Sequence, residues 1–439
     1  MNFRLTQILL ILTGVMFSTS NISAQEDLSL ENAIKIGLVQ NFDIQLTQKG
    51  IEINELQNTW GQAGRYPTIG LNIQQGNNIS DQSNNPTAFI QQLLISNSLQ
   101  SGVSLNWVLF NGFRVQANKE KLEQLEFQSE GQSALVIENT IQGIILNYYS
   151  ANLQKEKLVL LNNVLELSRA KWNHEKAKQD LGLALKFDLL QYESAYLTDS
   201  SNILLQKLAL TNSLNNLNLL MGVNVGAQWN LIDDMDIQSS SYEFESLKNK
   251  MLSNNQNIKN EYINLEILSK DISLAKATMY PVLSFGAGAS SNLSSFKLGN
   301  DRLGGSTLNY YGNFTLSFTL YDGGKVKRGI KALEIQNEVN EIQMNKLKST
   351  LTVELSNQYN LYNTRLEILK IAKLAFKVAE QNFDIASLKE NAGIINSFML
   401  REIESSYLAS GIAMVEAGFN MVESQTNISR LTGGLVDER

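Results

Sequence analysis

The chain has 439 residues, with 36 Lys and Arg against 43 Asp and Glu, one His and no Cys. An acidic balance without basic runs argues against nucleic acid as a partner, and the missing thiols exclude a disulfide framework, a thiolate metal site and a lipid-anchoring cysteine. A single histidine, His174, leaves little for imidazole acid–base chemistry, so no catalytic residue, cofactor or metal is assigned.

Residues 1–24 read as an export signal. Arg4 is their one charge, residues 8–17 form a short apolar core, and Ile22-Ser23-Ala24 supplies small residues ahead of Gln25. The core is too short to span a membrane, and no later stretch reaches 18 consecutive apolar residues, so no transmembrane helix is expected.

Next come two alternating segments. Ile69, Leu71 and Ile73 alternate with small or polar residues, as do Val103, Leu105 and Trp107, with a polar loop expected over 75–101. From Arg114 to about Gln179 there is no proline, and apolar residues fall on two seams on nearly opposite sides of a helix. A surface helix needs one apolar stripe; two imply a neighbour on each side. At ~1.5 Å per residue this rod measures on the order of 100 Å. A turn at Gly182 and a return helix over 186–221 follow, then an acidic junction near 232–241 and a helix expected over 242–277. Leu283 and Phe285, then Phe314, Leu316, Phe318 and Leu320, repeat the alternation around a second polar loop at 290–312.

The chain is written twice. Asn41-Phe42-Asp43-Ile44 matches Asn255-Gln256-Asn257-Ile258, and Tyr66-Pro67 matches Tyr280-Pro281, at an offset of 214; Gly182 and Gly393, Phe187 and Phe398, and Glu193-Ser194 and Glu404-Ser405 match at 211. Two repeats, 25–230 and 231–439, are therefore expected, each with a helix, a strand hairpin, a long helix and a return helix.

Alternation alone leaves two readings of the hairpins open, soluble covers on a core or tilted membrane strands with a lipid-facing side. The second reading carries a requirement. Lipid tolerates no open sheet edge, and four strands cannot close around a lumen, so the chain would share a barrel with copies of itself: two copies give eight strands and a plugged interior, three give twelve and a passage.

The duplicated Tyr-Pro before a strand, the Phe110-Asn111-Gly112 and Tyr321-Asp322-Gly323-Gly324 strand exits, the glycine turns and the closing Leu431-Thr432-Gly433-Gly434 resemble the TolC-type outer-membrane efflux proteins. The resemblance implies a mixed α/β membrane protein, a homotrimer with a twelve-stranded barrel in the outer membrane of a Gram-negative bacterium, and a periplasmic tunnel of coiled-coil helices. It implies a passive exit duct whose partners are outer-membrane lipid, a periplasmic adaptor and an inner-membrane RND or ABC transporter; an exported scaffold or adhesin without a pore is the competing reading. It also assigns adaptor contact to Gly182, Leu183 and Ala184 and to Gly393, Ile394 and Ile395, although glycine at a tight helix reversal equally serves as a left-handed cap. By position, Asp188, Gln191, Met399 and Glu402 fall at the periplasmic constriction, with Arg401 available for interchain charge links. Met399 and Gln191 replace half of the family's acidic pattern there, and a solvated helix face remains open for Asp188 and Glu402.

Overall fold

The computed structural model describes residues 26–183, 185–235, 241–298 and 301–437. The export signal, Ala184 and residues 236–240 of the acidic junction lie outside the described residues. In chain order the elements are β1 (Glu26–Leu28), α1 (Leu30–Gln40), α2 (Phe42–Gln57), β2 (Thr68–Asp81), β3 (Leu93–Phe110), α3 (Arg114–Asp180), α4 (Lys186–Met221), β4 (Trp229–Leu231), α5 (Phe244–Asn254), α6 (Gln256–Ala277), β5 (Val282–Leu298), β6 (Asp301–Ser317), α7 (Lys325–Asn391), α8 (Ser397–Leu431) and α9 (Gly434–Asp437). Helices α3 and α7 are 67 residues each and unbroken. No helix among the described residues is long and apolar enough to cross a membrane. The chain falls into two compact units, each drawing on both halves of the sequence.

One unit takes residues up to Gln45 together with Val136–Ser253 and Val353 onward. Its core gathers Leu28, Ile34, Ile144, Tyr148, Leu217 and Met221 around a parallel β1–β4 pair. Tyr148 is fully buried, so its hydroxyl needs partners; it lies 2.8 Å from the Leu28 carbonyl and 2.9 Å from Asp233 Oδ2. Burial, with the Asp233 carboxylate alongside, pushes that hydroxyl far above the usual tyrosine range. Asp233 also accepts from the Leu30 amide at 2.5 Å, tying the start of α1 to the segment after β4.

The single helix expected over 242–277 is two helices, α5 and α6, because Asn255 restarts the backbone: its side-chain oxygen accepts from the amides of Asn257 and Ile258 at 3.0 and 3.4 Å. Asn41 does the same between α1 and α2, accepting from Asp43 and Ile44 at 2.9 and 3.1 Å. A side-chain cap of this kind offers the first free amides an acceptor that the preceding helix cannot. The repeated Asn of the sequence is therefore a repeated helix stop.

The other unit, Leu46–Leu135 with Asn254–Thr352, holds an antiparallel sheet in the order β2-β3-β5-β6. Its register sorts the side chains cleanly. On one face Ile69, Leu105, Ala287 and Gly312 share a row, as do Leu71, Val103, Ala289 and Tyr310, and likewise Trp107, Phe285 and Phe314. A bulge between Val108 and Phe110 returns Phe110 to this face beside Leu283 and Leu316. On the other face lie Gly70, Ser104, Gly288 and Tyr311, then Asn72, Gly102, Ser290 and Asn309.

The strands run well into the predicted loops. Pairing continues through rows such as Asn77, Asn97, Ser295 and Gly304, where both faces are polar and alternation vanishes while the backbone ladder persists. In the opposite sense, β6 ends at Ser317, so Phe318 and Leu320, expected as strand residues, lie beyond it and are exposed.

Candidate channel wall and helical tip

The sheet has the chemistry of a barrel wall. From Leu283 to Leu293 only Ser291 interrupts the apolar face of β5. At ~3.3 Å per residue and a ~45° tilt this stretch rises on the order of 25 Å, the height of a hydrocarbon band. Over the same stretch the opposite face of β5 carries Ser284, Gly286, Gly288, Ser290 and Asn292. Among the described residues, β2 and β6 have no strand on their outer edges. Because β2 and β6 run in opposite directions, β6 of one copy and β2 of the next meet antiparallel, so a closed ring of copies needs no change of pairing type.

The helical tip is built separately, where α3 turns into α4 and α7 into α8. At the first turn the Leu183 amide donates to Lys178 and the Gly182 amide to Gln179, both at 2.8 Å; at the second, Ile394 donates to Lys389 and Gly393 to Glu390, both at 2.9 Å. Gly182 (φ 74°) and Gly393 (φ 72°) thus occupy the left-handed position that closes each helix. Leu181, Leu183, Leu185 and Phe187 of the first turn and Ile394, Phe398 and Met399 of the second are all exposed, whereas Ile395 is half-buried. Phe187 and Phe398, paired by the repeat, meet with ring centroids 6.2 Å apart. Large apolar side chains are thus gathered, exposed, at both helix reversals.

Of the constriction residues, Glu402 and Met399 are exposed on α8, and Asp188 and Gln191 are half-buried on α4. Arg401, available for interchain links in the sequence, is engaged within its own chain. Its guanidinium grips Asp199 of α4 through two bonds of 2.9 and 2.6 Å and reaches Glu404 at 3.0 Å. The two carboxylate side chains are only 4% and 7% exposed. Burial raises the Glu404 carboxyl above its ordinary range, against the pull of Arg401. Glu404 Oε1 and Gln191 Oε1 are buried without a hydrogen-bond partner and line one small cavity together. Close by, Lys171 of α3 pairs with Glu390 of α7, which also accepts from the Tyr192 hydroxyl at 2.9 Å. Burial and the Glu390 charge push that hydroxyl far upward.

Asp199, Glu404, Lys171, Glu390 and Tyr192 escaped the sequence reading. Glu404 alone left a trace, as the mate of Glu193 in the repeat, and nothing local marks Asp199, whose partner Arg401 lies 202 positions away.

The sequence profile of the family described as "Outer membrane efflux protein" matches residues 33–223 and 247–434. The chain belongs to this family. An outer-membrane location comes with that membership. No curated protein matches the chain in sequence. Solved structures share this fold at low identity: a membrane protein from Pseudomonas aeruginosa (15% identity, TM-score 0.70, covering 92% of this chain and 93% of that one); the Campylobacter jejuni CmeC outer membrane channel (17%, 0.67, 92% and 85%); and the open state of the Neisseria gonorrhoeae MtrE outer membrane channel (14%, 0.68, 92% and 89%). Among the described residues the architecture is mostly helical, with one four-stranded sheet beside the short β1–β4 pair, as the repeat and the two hydrophobic periods predict.

Proposed function

We propose that three copies of this chain close their four-stranded sheets into a twelve-stranded outer-membrane barrel continued by a periplasmic helical tunnel. The assembly is the exit duct of a tripartite pump. The observation that carries this reading is the sheet, apolar on one face, polar on the other, with two free edges of compatible direction. Helices α4 and α7 support it, because each leaves a heptad-spaced seam uncovered within the chain. Leu190, Leu197 and Leu204 on one, and Ile371, Leu374, Val378, Ile385 and Leu388 on the other, are all exposed, and such seams are covered by neighbouring helices. We read 25–230 and 231–439 as the two copies of one efflux domain that supply these staves.

The duct does no chemistry. A polar passage removes the desolvation cost a solute meets in hydrocarbon, and the driving force comes from an inner-membrane transporter of the RND or ABC class. The exposed apolar tip around Leu183 and Ile394 receives the periplasmic adaptor, and the Arg401–Asp199–Glu404 cluster holds the return helices while the tip is closed. Planar-bilayer recording tests this. The purified oligomer should pass a small ohmic current that rises when a purified adaptor is added. An inserted oligomer that passes no current, with or without adaptor, contradicts the duct.

A further inference from the structure

Where the sheet meets its helices a second surface chemistry appears, which the duct itself does not use. At the end of the sheet that carries Thr68, Phe110, Val282 and Ser317, the apolar face stops at a ring of aromatic side chains. There the Trp107 indole donates to the Arg65 carbonyl at 2.9 Å, which fixes Arg65 at the rim of that face. The Arg65 guanidinium lies 4.8 Å from the centroid of the Trp60 ring. Both line a cavity of about 380 Å³ together with Trp107, Phe110 and Phe113.

The charges at this rim work against their own helices. Helix α3 opens on Arg114, and α7 opens on Lys325, Lys327 and Arg328, with no acidic residue in either first turn. The N-terminal end of a helix dipole favours anions, so cations there cost helix stability and need another reason. Asp322 beside them is engaged as the cap of α7, accepting from the amides of Gly324, Lys325 and Val326. Arg65, Arg114, Lys325 and Lys327 are exposed, and among the described residues none of the four is drawn into an ion pair such as those made by Lys121, Lys270 and Lys331.

We propose that this collar binds the headgroup phosphates of anionic membrane glycerophospholipids, which carry no compensating cation, in the leaflet nearest the helices. A phospholipid joins the two chemistries present: acyl chains for the apolar face that ends at Trp107 and Phe314, and a phosphate for the cations immediately beyond it. Trp60 and Trp107 sit at the boundary, where amphipathic rings are favoured. Held over the Trp60 ring, the Arg65 guanidinium has N–H donors to offer to paired phosphate oxygens. A free phosphate would have no use for the aromatic lining.

The proposal rests on the sheet being embedded in lipid, and the test separates the two. The full-length oligomer is placed in nanodiscs of equal phosphatidylglycerol and phosphatidylcholine, then extracted with detergent, and the lipid it retains is quantified by mass spectrometry. The wild type should retain phosphatidylglycerol over phosphatidylcholine by about fivefold, and the preference should weaken in high salt. The R65Q/R114Q/K325Q/K327Q variant should lose the preference while still retaining lipid. Excess inorganic phosphate should leave the wild-type preference unchanged; displacement by it would reveal a small-anion site and overturn the proposal. Equal retention of both lipids by the wild type overturns it without recourse to any variant, and retention of no lipid at all overturns the collar and the embedded sheet together.

Discussion

Gly222→Ala should destabilise the helical unit by about 4 kcal/mol, the sum of left-handed backbone strain and overpacking, while Gly182→Ala costs only the strain, about 1–3 kcal/mol. The two glycines have nearly the same backbone, φ 73° and 74°, and both end a helix. What differs is the space around them. A methyl on Gly182 meets nothing within 4 Å, whereas one on Gly222 falls 2.1 Å from the carbonyl oxygen and 2.5 Å from the carbonyl carbon of Gln40. Those atoms are backbone at the end of α1, held in place because Asn41 donates to the Leu220 carbonyl at 2.8 Å. They cannot turn aside as a side chain could, so α4 and α1 must separate. Thermal unfolding of both variants, followed by the helical circular dichroism signal at one scan rate, checks this. Equal midpoints for the two variants would show that the α1–α4 contact does not constrain the unit.

Arg401→Gln should be the second large loss, about 3–5 kcal/mol near neutral pH, because it leaves two buried carboxylates facing each other without a cation. The sign of the pH dependence follows from Glu404. Its folded carboxyl is raised above the ordinary value by burial, so the folded state holds that proton more tightly than the unfolded chain does. Its ionisation therefore costs stability at high pH, and the cost is relieved as pH falls through the folded value towards the unfolded one. Removing the guanidinium, which pulls Glu404 downward, raises it further. The deficit of the variant should accordingly shrink as the pH is lowered from neutral towards the ordinary glutamate range, with a smaller change in the wild type. The D199N/R401Q/E404Q triple variant, with no charge left in this cluster, should recover most of the lost stability. In bilayers, Arg401→Gln should pass more current than the wild type at neutral pH and approach it on acidification. A variant with the wild-type midpoint, pH profile and current would remove this cluster from the gate.

Much of this was legible in the sequence, for reasons that can be stated residue by residue. The facing of Ile69, Leu105 and Phe285 could be read because a strand writes its two faces into alternate positions. The turns at Gly182 and Gly393 could be read because glycine at a tight helix reversal serves as a left-handed cap. The Asn41–Asn255 repeat was visible, but its meaning as a helix stop was not, since one asparagine within an otherwise helical pattern gives no hint that its side chain has captured the next amides. Strand ends were misjudged in both directions. The polar rows beyond Leu99 and Leu293 carry no alternation although pairing continues, and Phe318 and Leu320 keep the alternation after pairing has ended. The Arg401 cluster was out of reach because its members come from helices that meet only after folding. The guanidinium that resembled a link between chains proved to be needed by two carboxylates of its own.

Closure of the sheet by identical copies is the claim that supports the rest, and the absence of native cysteine makes it directly measurable. Asn72→Cys on the polar face of β2 is combined in turn with Asn309→Cys, Tyr311→Cys or Asn313→Cys on the same face of β6, and the membrane-embedded protein is oxidised and run on a denaturing gel. At one of these registers the covalent products should reach three chains and stop there, because a ring has no free end. Products that end at two chains, a ladder that continues past three, or no linkage at any register would contradict a closed ring of three.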